Sequence, residues 1–522
     1  MNGTRCPNVA FGNAVVGAAL ALVTACTINP VTGNRELALI SADQEIEIGQ
    51  EQYAPSQQMQ GGDYAFDPAL TTYVRGVGAK LAAVSDRALP YEFVVLNNSV
   101  PNAWALPGGK IAVNRGLLTE LHSEAELAAV LGHEIVHAAA RHGAIAMQRG
   151  LLLGAVVSGM QAAARGGNFA GLAVGAAGVG AQLITQHNGR ENELEADQYG
   201  MQYMSRAGYD PTAAVTLQET FVRLSQQAGD QGRLAALFAS HPPSTERVEK
   251  NRATAASLPK SGDMGRERYQ AATAALRQRQ PAYDAYDKGR AALVENKVAD
   301  AERFARESMR LLPGEAQVHA LLGDIALQEK RYDEAARYFG YSVGRNDRFF
   351  YYHLQKGIAL RQLRQWDPAR AELELSVKLL PTADAYFALG GVAEQRGDRA
   401  AALENYGRAA QSEGAAGKSA QDATVRLDLP TNPGKYLTAR GTLDGNGELI
   451  VEVANPTRVP VADVLVAVRY TDAQGAAREQ SRQLTGQLPP GQALRQAMGL
   501  GPFASTATFE VSVAAARVPP PP

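Results

Sequence analysis

Residues 129–141 read AVLGHEIVHAAAR, a stretch of good helix formers on which the reading of the whole chain turns. His133 and His137 stand four positions apart, so on a helix they lie one above the other on the same face. Two imidazoles placed this way can share one tetrahedral zinc ion, and the adjacent Glu134 can take a proton from a water held there. The flanking Ala, Val, Leu and Ile predict that the helix is buried. Two histidines and a glutamate on a buried helix need a partner, because unpaired polar groups are costly there. A metal ion is the partner this pattern predicts.

A two-histidine set lacks a third ligand, and residues 190–200, RENELEADQYG, can supply it from a second helix. Glu193 completes a His₂Glu set with one position left open. Asp197, four residues on, shares its face and is placed to accept the second ring N–H of a ligand histidine. Glu191 and Glu195 fall on other faces and read as solvated. Taken together, His133-Glu134-x-x-His137, then Arg141-His142, then Glu193-x-Glu195-Ala196-Asp197 resemble the HtpX, BepA and CAAX-endopeptidase family of zinc gluzincins. Residues 102–109, NAWALPGG, are similar to that family's substrate-strand segment.

The resemblance covers about residues 36–255. It implies a zinc endopeptidase holding one Zn²⁺ per chain, with His133, His137 and Glu193 as ligands and Glu134 as the catalytic base. Gly189 stands where the family often has Ser, outside the ligand set. Downstream, residues 240–247, SHPPSTER, match the family's His-Pro segment, whose histidine resembles a switch in periplasmic members. By chemistry His241 has three roles open: fourth ligand, transition-state hydrogen-bond donor, or turn residue before two prolines. Arg247 either steadies an oxyanion or pairs with a helix acid. His142 lies off the ligand face and reads as structural. His122, His187, His319 and His353 have no partner at ligand spacing.

With 522 residues the chain exceeds one domain and suggests about three. It is 45% hydrophobic and 20% charged with formal net charge −2, which gives no electrostatic case for nucleic acid. Cys6 and Cys26 are the two cysteines, so no disulfide framework or cysteine zinc site is available in the body of the protein. Arg5 followed by the apolar run 14–25, AVVGAALALVTA, reads as an export signal, too short to span a bilayer. Its end, LVTA before Cys26, resembles a bacterial lipobox, with Val23 where Leu is commoner. That resemblance implies cleavage before Cys26, lipidation of Cys26 and anchoring on a membrane. Thr27 resembles the residue found in lipoproteins sorted to the outer membrane, on its periplasmic face.

Residues 28–39 read as a tether. Ser41 is a candidate N-cap, and Leu70, Tyr73, Val74, Val77, Leu81 and Val84 recur at helical spacing. Residues 91–96 (YEFVVL) and 110–113 are strand-like, separated by the Pro107-Gly108-Gly109 turn. This places a sheet edge just upstream of the zinc helix. An extended substrate could add to that edge as a strand, or the pair could be a purely structural hairpin. Residues 150–184 are apolar and Gly-rich, in two arms of about 14 residues, short of a bilayer span. A lid and a membrane-dipping hairpin are both open.

Gly289, Gly323 and Gly357 are 34 residues apart and Gly390 follows 33 later. Ala301, Ala335, Ala369 and Ala402 stand twelve residues after them. The period resembles tetratricopeptide repeats, which stack into a solenoid with a concave surface for a protein partner. From Asp428 onward the pattern alternates as in strands, similar to a small Ig-like sandwich.

The expected chain is therefore multidomain. It comprises a lipoprotein signal peptide (1–25), a lipidated tether (26–40) and a mostly helical α+β zincin-like metallopeptidase domain (41–258). A helical bridge (259–282), an all-α TPR solenoid (283–411), a linker (412–427), a C-terminal β-sandwich (428–517) and a Pro-rich tail (518–522) follow. The expected function is zinc-dependent proteolysis of misfolded or assembling envelope proteins, engaged through the repeats. The alternative is an envelope assembly factor whose proteolysis is gated.

Overall fold

A computed structural model describes residues 26–149, 189–228, 235–259, 261–472, 474–504 and 508–520. The export signal, the apolar stretch 150–184 and His187 lie outside the described residues. The chain divides into two compact units. One runs to Ile325 and includes Tyr341–Phe349; the other takes Ala326–Gly340 and Phe350–Pro522. Among the described residues no helix is long and apolar enough to cross a membrane.

The first unit begins with an antiparallel hairpin, β1 (Cys26–Ile28) and β2 (Arg35–Leu37), where the sequence suggests a tether. Asn29 explains the difference. Its Oδ1 accepts from the backbone of Val31 at 2.9 Å and Thr32 at 3.3 Å, closing the turn as Asx side chains do. Its amide donates to the Ala140 carbonyl at 3.4 Å, and Val31 joins the core.

Helix α1 (Ala42–Met59) starts on a capping box between Ser41 and Gln44, which satisfies two otherwise orphan N–H groups. Helix α2 (Pro68–Ala82) is capped by Asp67 and buries Leu70, Val74, Val77 and Leu81. Strands β3 (Glu92–Leu96), β4 (Ala103–Leu106) and β5 (Lys110–Asn114) form a sheet ordered β3-β5-β4. β3 and β5 are parallel, β4 and β5 antiparallel. All five residues of central β5 are buried, whereas β4 is an edge.

The turn joining β4 to β5 uses positive φ at Gly108 (75°) and Gly109 (82°), a region that favours glycine. Helix α1 packs backbone to backbone on this turn: a Cβ on Gly49 would lie 1.9 Å from the Pro107 carbonyl oxygen. Gly49→Val is therefore expected to force the helix off the turn, at a cost of about 1–3 kcal/mol. A lowered thermal midpoint checks this; an unchanged midpoint would mean the contact is easily relieved.

Helix α3 (Arg115–Glu120) leads into helix α4 (Glu124–Ala139), every residue of which is buried. Its start is capped by Ser123, whose Oγ accepts from Glu126 N–H at 3.1 Å. At its end Arg141, with φ 66°, turns the chain back. Arg141 pairs with the fully buried Glu45 of α1 and donates to the Ile40 carbonyl at 2.5 Å. Arg87 reaches the same carboxylate at 2.8 Å and the Ala138 carbonyl at 3.4 Å. Two cations thus lie at the negative end of the helix dipole.

Helix α5 (Arg190–Arg206) crosses α4 at glycines. A Cβ on Gly200 would lie 3.0 Å from the His133 backbone nitrogen, and one on Gly132 3.0 Å from the Gly200 carbonyl oxygen. The close crossing brings the two functional faces together. Helices α6 (Thr212–Ala228), α7 (Ala235–Ser240) and α8 (Thr245–Ser257) close over them.

Beyond residue 258, where the peptidase domain was expected to end, the compact unit continues. Helix α9 (Arg266–Val294) is one 29-residue helix paired with α10 (Val298–Leu311). A buried polar network joins α9 to the sheet and to α3. The Arg115 guanidinium stacks 3.4 Å over the Tyr283 ring and donates to Asn97 Oδ1 at 2.8 Å. Glu315 accepts from Asn97 at 3.2 Å and from Tyr283 at 3.0 Å. Helices α11 (Ala316–Gln328) and α12 (Tyr332–Arg345) contribute residues to both units.

In the second unit helices α13 (Phe350–Gln362) and α14 (Trp366–Leu379) pair, as do α15 (Ala383–Gln395) and α16 (Arg399–Ala409). The regularly spaced small residues lie at the close approaches. A Cβ on Gly357 would meet Leu373 at 2.6 Å and the Ala369 carbonyl oxygen at 3.2 Å. Helix α17 (Ala415–Asp428) occupies the expected linker and buries Ala420 and Ala423. The C-terminal region forms two small antiparallel sheets. One is ordered β10-β7-β6 (Ala493–Ala497, Leu449–Ala454, Thr438–Leu443); the other is ordered β11-β8-β9 (Phe509–Arg517, Ala462–Thr471, Ala477–Gln483). Leu449, Val451 and Val453 share one apolar cluster with Val464, Val466 and Val468.

Candidate metal centre and active site

Four buried side chains converge between α4, α5 and the end of α7: His133, His137, Glu193 and His241, with ligand atoms all within 4.8 Å of one another. The Nε2 atoms of His133 and His137 are 2.9 Å apart. Glu193 Oε2 lies 3.4 Å from His133 Nε2, and its Oε1 lies 3.3 Å from His137 Nε2 and 3.1 Å from His241 Nδ1. Separations from 2.9 to 3.4 Å are close enough for these nitrogen and oxygen donors to share one metal ion.

The rings are also oriented for it. His133 Nδ1 is bonded to Asp197 Oδ1 at 2.9 Å, and His137 Nδ1 to His142 Nδ1 at 2.8 Å. With both Nδ1 atoms engaged, both Nε2 atoms face the common point. The residues present therefore fit a metal ion.

Asp197 does more than hold one ring. Arg247 grips it with two bonds of 2.7 Å, from Nε to Oδ2 and from Nη2 to Oδ1, and reaches Glu193 Oε2 at 2.9 Å. Asn251 adds a bond to Asp197 at 3.3 Å. Of the two roles open to Arg247, the structure shows pairing with the acids of α5. Burial opposes charge on Asp197, yet Arg247 and His133 hold its carboxyl down at about 2. Burial likewise opposes a charged His133, but Glu193 and Asp197 outweigh it and push the ring up to about 10. Burial drives His137 well below the usual imidazole value.

Glu134 lies beside the cluster, 3% exposed, and burial raises it above the ordinary carboxylate range. That is the direction that makes a carboxylate a better proton acceptor near neutrality. His241 Nε2 is 3.5 Å from Glu134 Oε1, so this ring lies between Glu134 and the donor set. His241 is thus one of the four converging side chains, although it also precedes two prolines.

His142, outside the converging set, supports His137 through its Nδ1, where Arg141 with its positive φ turns the chain out of the helical path. Glu195 is partly exposed, at 23%, and lies 3.3 Å from His142 Nε2. Asn251 was not singled out by any sequence signal. Cys26 lies in β1, away from these residues in sequence.

The donor set and its support on two crossed helices are those of a metallopeptidase. Residues 68–255 match Peptidase family M48. Over 247 residues the chain is 34% identical to mitochondrial metalloendopeptidase OMA1 of Schizosaccharomyces pombe, covering 46% of this chain and 69% of that protein. Over 244 residues it is 31% identical to the beta-barrel assembly-enhancing protease of Yersinia pestis, covering 44% of this chain and 48% of that protein. The chain thus spans about half the length of the second relative. A thermophilic TPR protein of Thermus thermophilus is 18% identical with a TM-score of 0.27, covering 41% of this chain and 99% of that one, a likeness too slight to support an argument. The chain belongs to peptidase family M48 and is a metalloendopeptidase.

Proposed function

We propose that this chain is a zinc-dependent endopeptidase of the bacterial envelope, with His133, His137 and Glu193 as zinc ligands and Glu134 as base. The observation that carries the proposal is the convergence of four buried ligand atoms within 4.8 Å, with a buried carboxylate beside them. A zinc ion bound there supplies Lewis acidity, polarising the scissile carbonyl and acidifying water. Glu134 accepts the proton from the attacking water and returns it to the leaving amine. Arg247 acts through Asp197, keeping His133 in one tautomer and one orientation. Edge strand β4 offers unpaired main-chain groups on which an extended substrate can add.

The name of the Yersinia relative, a beta-barrel assembly-enhancing protease, supports β-barrel proteins in the course of assembly as substrates. The helix pairs with the 34-residue period are read as TPR repeats that hold them, and the C-terminal sheets as an Ig-like sandwich that positions them. Lipidation at Cys26 would keep the enzyme at the periplasmic face of the outer membrane.

His241 favours a gated enzyme. Its ring touches a ligand and the base at once, so water cannot occupy the same place. His241→Ala is expected to raise the rate of cleavage of an unfolded protein several-fold, measured with purified zinc-loaded protein. A fall instead would make His241 a helper of the transition state. The assembly-factor alternative predicts that Glu134→Gln supports outer-membrane assembly as well as the parent does.

A further inference from the structure

Beside the donor set lies a cavity of about 50 Å³, room for several heavy atoms where 10–15 Å³ suffices for a water. The side away from the donor set is mostly apolar: Val130 of α4, Met201 and Met204 of α5, and Leu217 and Phe221 of α6. Among these stands Gln218, 7% exposed, whose buried Oε1 has no hydrogen-bond partner among the described residues. A buried carbonyl-type acceptor left unpaired is costly, and a ligand that brings a donor would remove that cost.

Position says which ligand. His133 and Glu134 line the cavity on one side, and Ala103, the first residue of edge strand β4, lines it on another. A peptide added along β4 with its scissile bond at Glu134 would run beside this cavity, which Ala103 and Glu134 both line. We propose that the cavity is a specificity pocket for a substrate side chain next to the scissile bond. It takes a side chain with an apolar body and a hydrogen-bond-donating tip, and Gln218 reads that tip. This rests on the endopeptidase reading and deepens it by naming the side-chain class.

Thr and Val are nearly isosteric and differ in the donor, so they isolate the role of Gln218. The test uses two blocked alanine-rich hexapeptides, one with a central Thr and one with a central Val. The zinc-loaded full chain should cleave the Thr peptide with a kcat/KM about tenfold higher than the Val peptide. In Gln218→Met, close in volume but without the acceptor, the ratio should fall to one or below; Gln218→Leu should behave alike. Binding of the same pair to Glu134→Gln protein, by calorimetry, should show the same preference and the same loss without turnover. Equal ratios in the parent and both Gln218 variants would overturn the pocket while leaving the endopeptidase reading intact. Preferential binding of the Thr peptide without any cleavage would do the reverse. Failure of both peptides to bind would overturn the pocket as well.

Discussion

Glu134→Gln is expected to bind zinc as the parent does and to lose peptide hydrolysis by about 10²–10⁴-fold in kcat. The amide keeps the volume of the carboxylate, which matters at a site 3% exposed on a helix buried along its whole length. It removes only the ability to accept a proton. Glu134 is not among the atoms that converge on the common point, so metal content should be untouched. Metal analysis and steady-state kinetics on the same preparation check both halves. A variant that keeps more than a tenth of the parental rate would remove Glu134 from the role of base.

Glu193→Ala should fail differently. The carboxylate is the one anionic donor in the cluster and lies within 3.1–3.4 Å of three imidazoles. It also takes a bond from Arg247 at 2.9 Å, and His241 and His133 hold it well below the usual carboxylate range despite burial. Its removal takes a ligand from the metal and a partner from a buried cation. Zinc content should drop from about one per chain to near zero. The apo-protein should also lose about 3–5 kcal/mol of stability, the typical cost of breaking a buried pair from one side. Metal analysis and the urea midpoint report the two effects separately. Stoichiometric zinc in the variant would sink the ligand assignment.

The core of this arrangement is readable from residue spacing because helices are periodic. A separation of four puts His133 over His137 and Glu193 over Asp197, and no tertiary information is needed for either pair. Periodicity fails where the helix ends. His142 reads as structural from spacing, but what it supports is set by the positive φ at Arg141, which brings it onto His137 Nδ1. The hairpin of residues 26–37 was hidden because turn residues such as Asn29 read equally as a tether until they find something to close on. Helix α17 was hidden by small residues: Ala420 and Ala423 pack well but give little apolar contrast. Gln218 and Asn251 carry no local signal, because what distinguishes them is the company they keep across the fold.

The Arg115–Tyr283–Glu315–Asn97 network has a bearing on how such a chain can be assembled or rearranged in evolution. It fastens the first helix pair to the catalytic sheet with buried polar groups that each need the others. A recombination seam at residue 258 would strand a guanidinium and a carboxamide in the interior of the remaining piece. A module that carries the metal centre intact would therefore have to run on through α9 and α10 to Glu315.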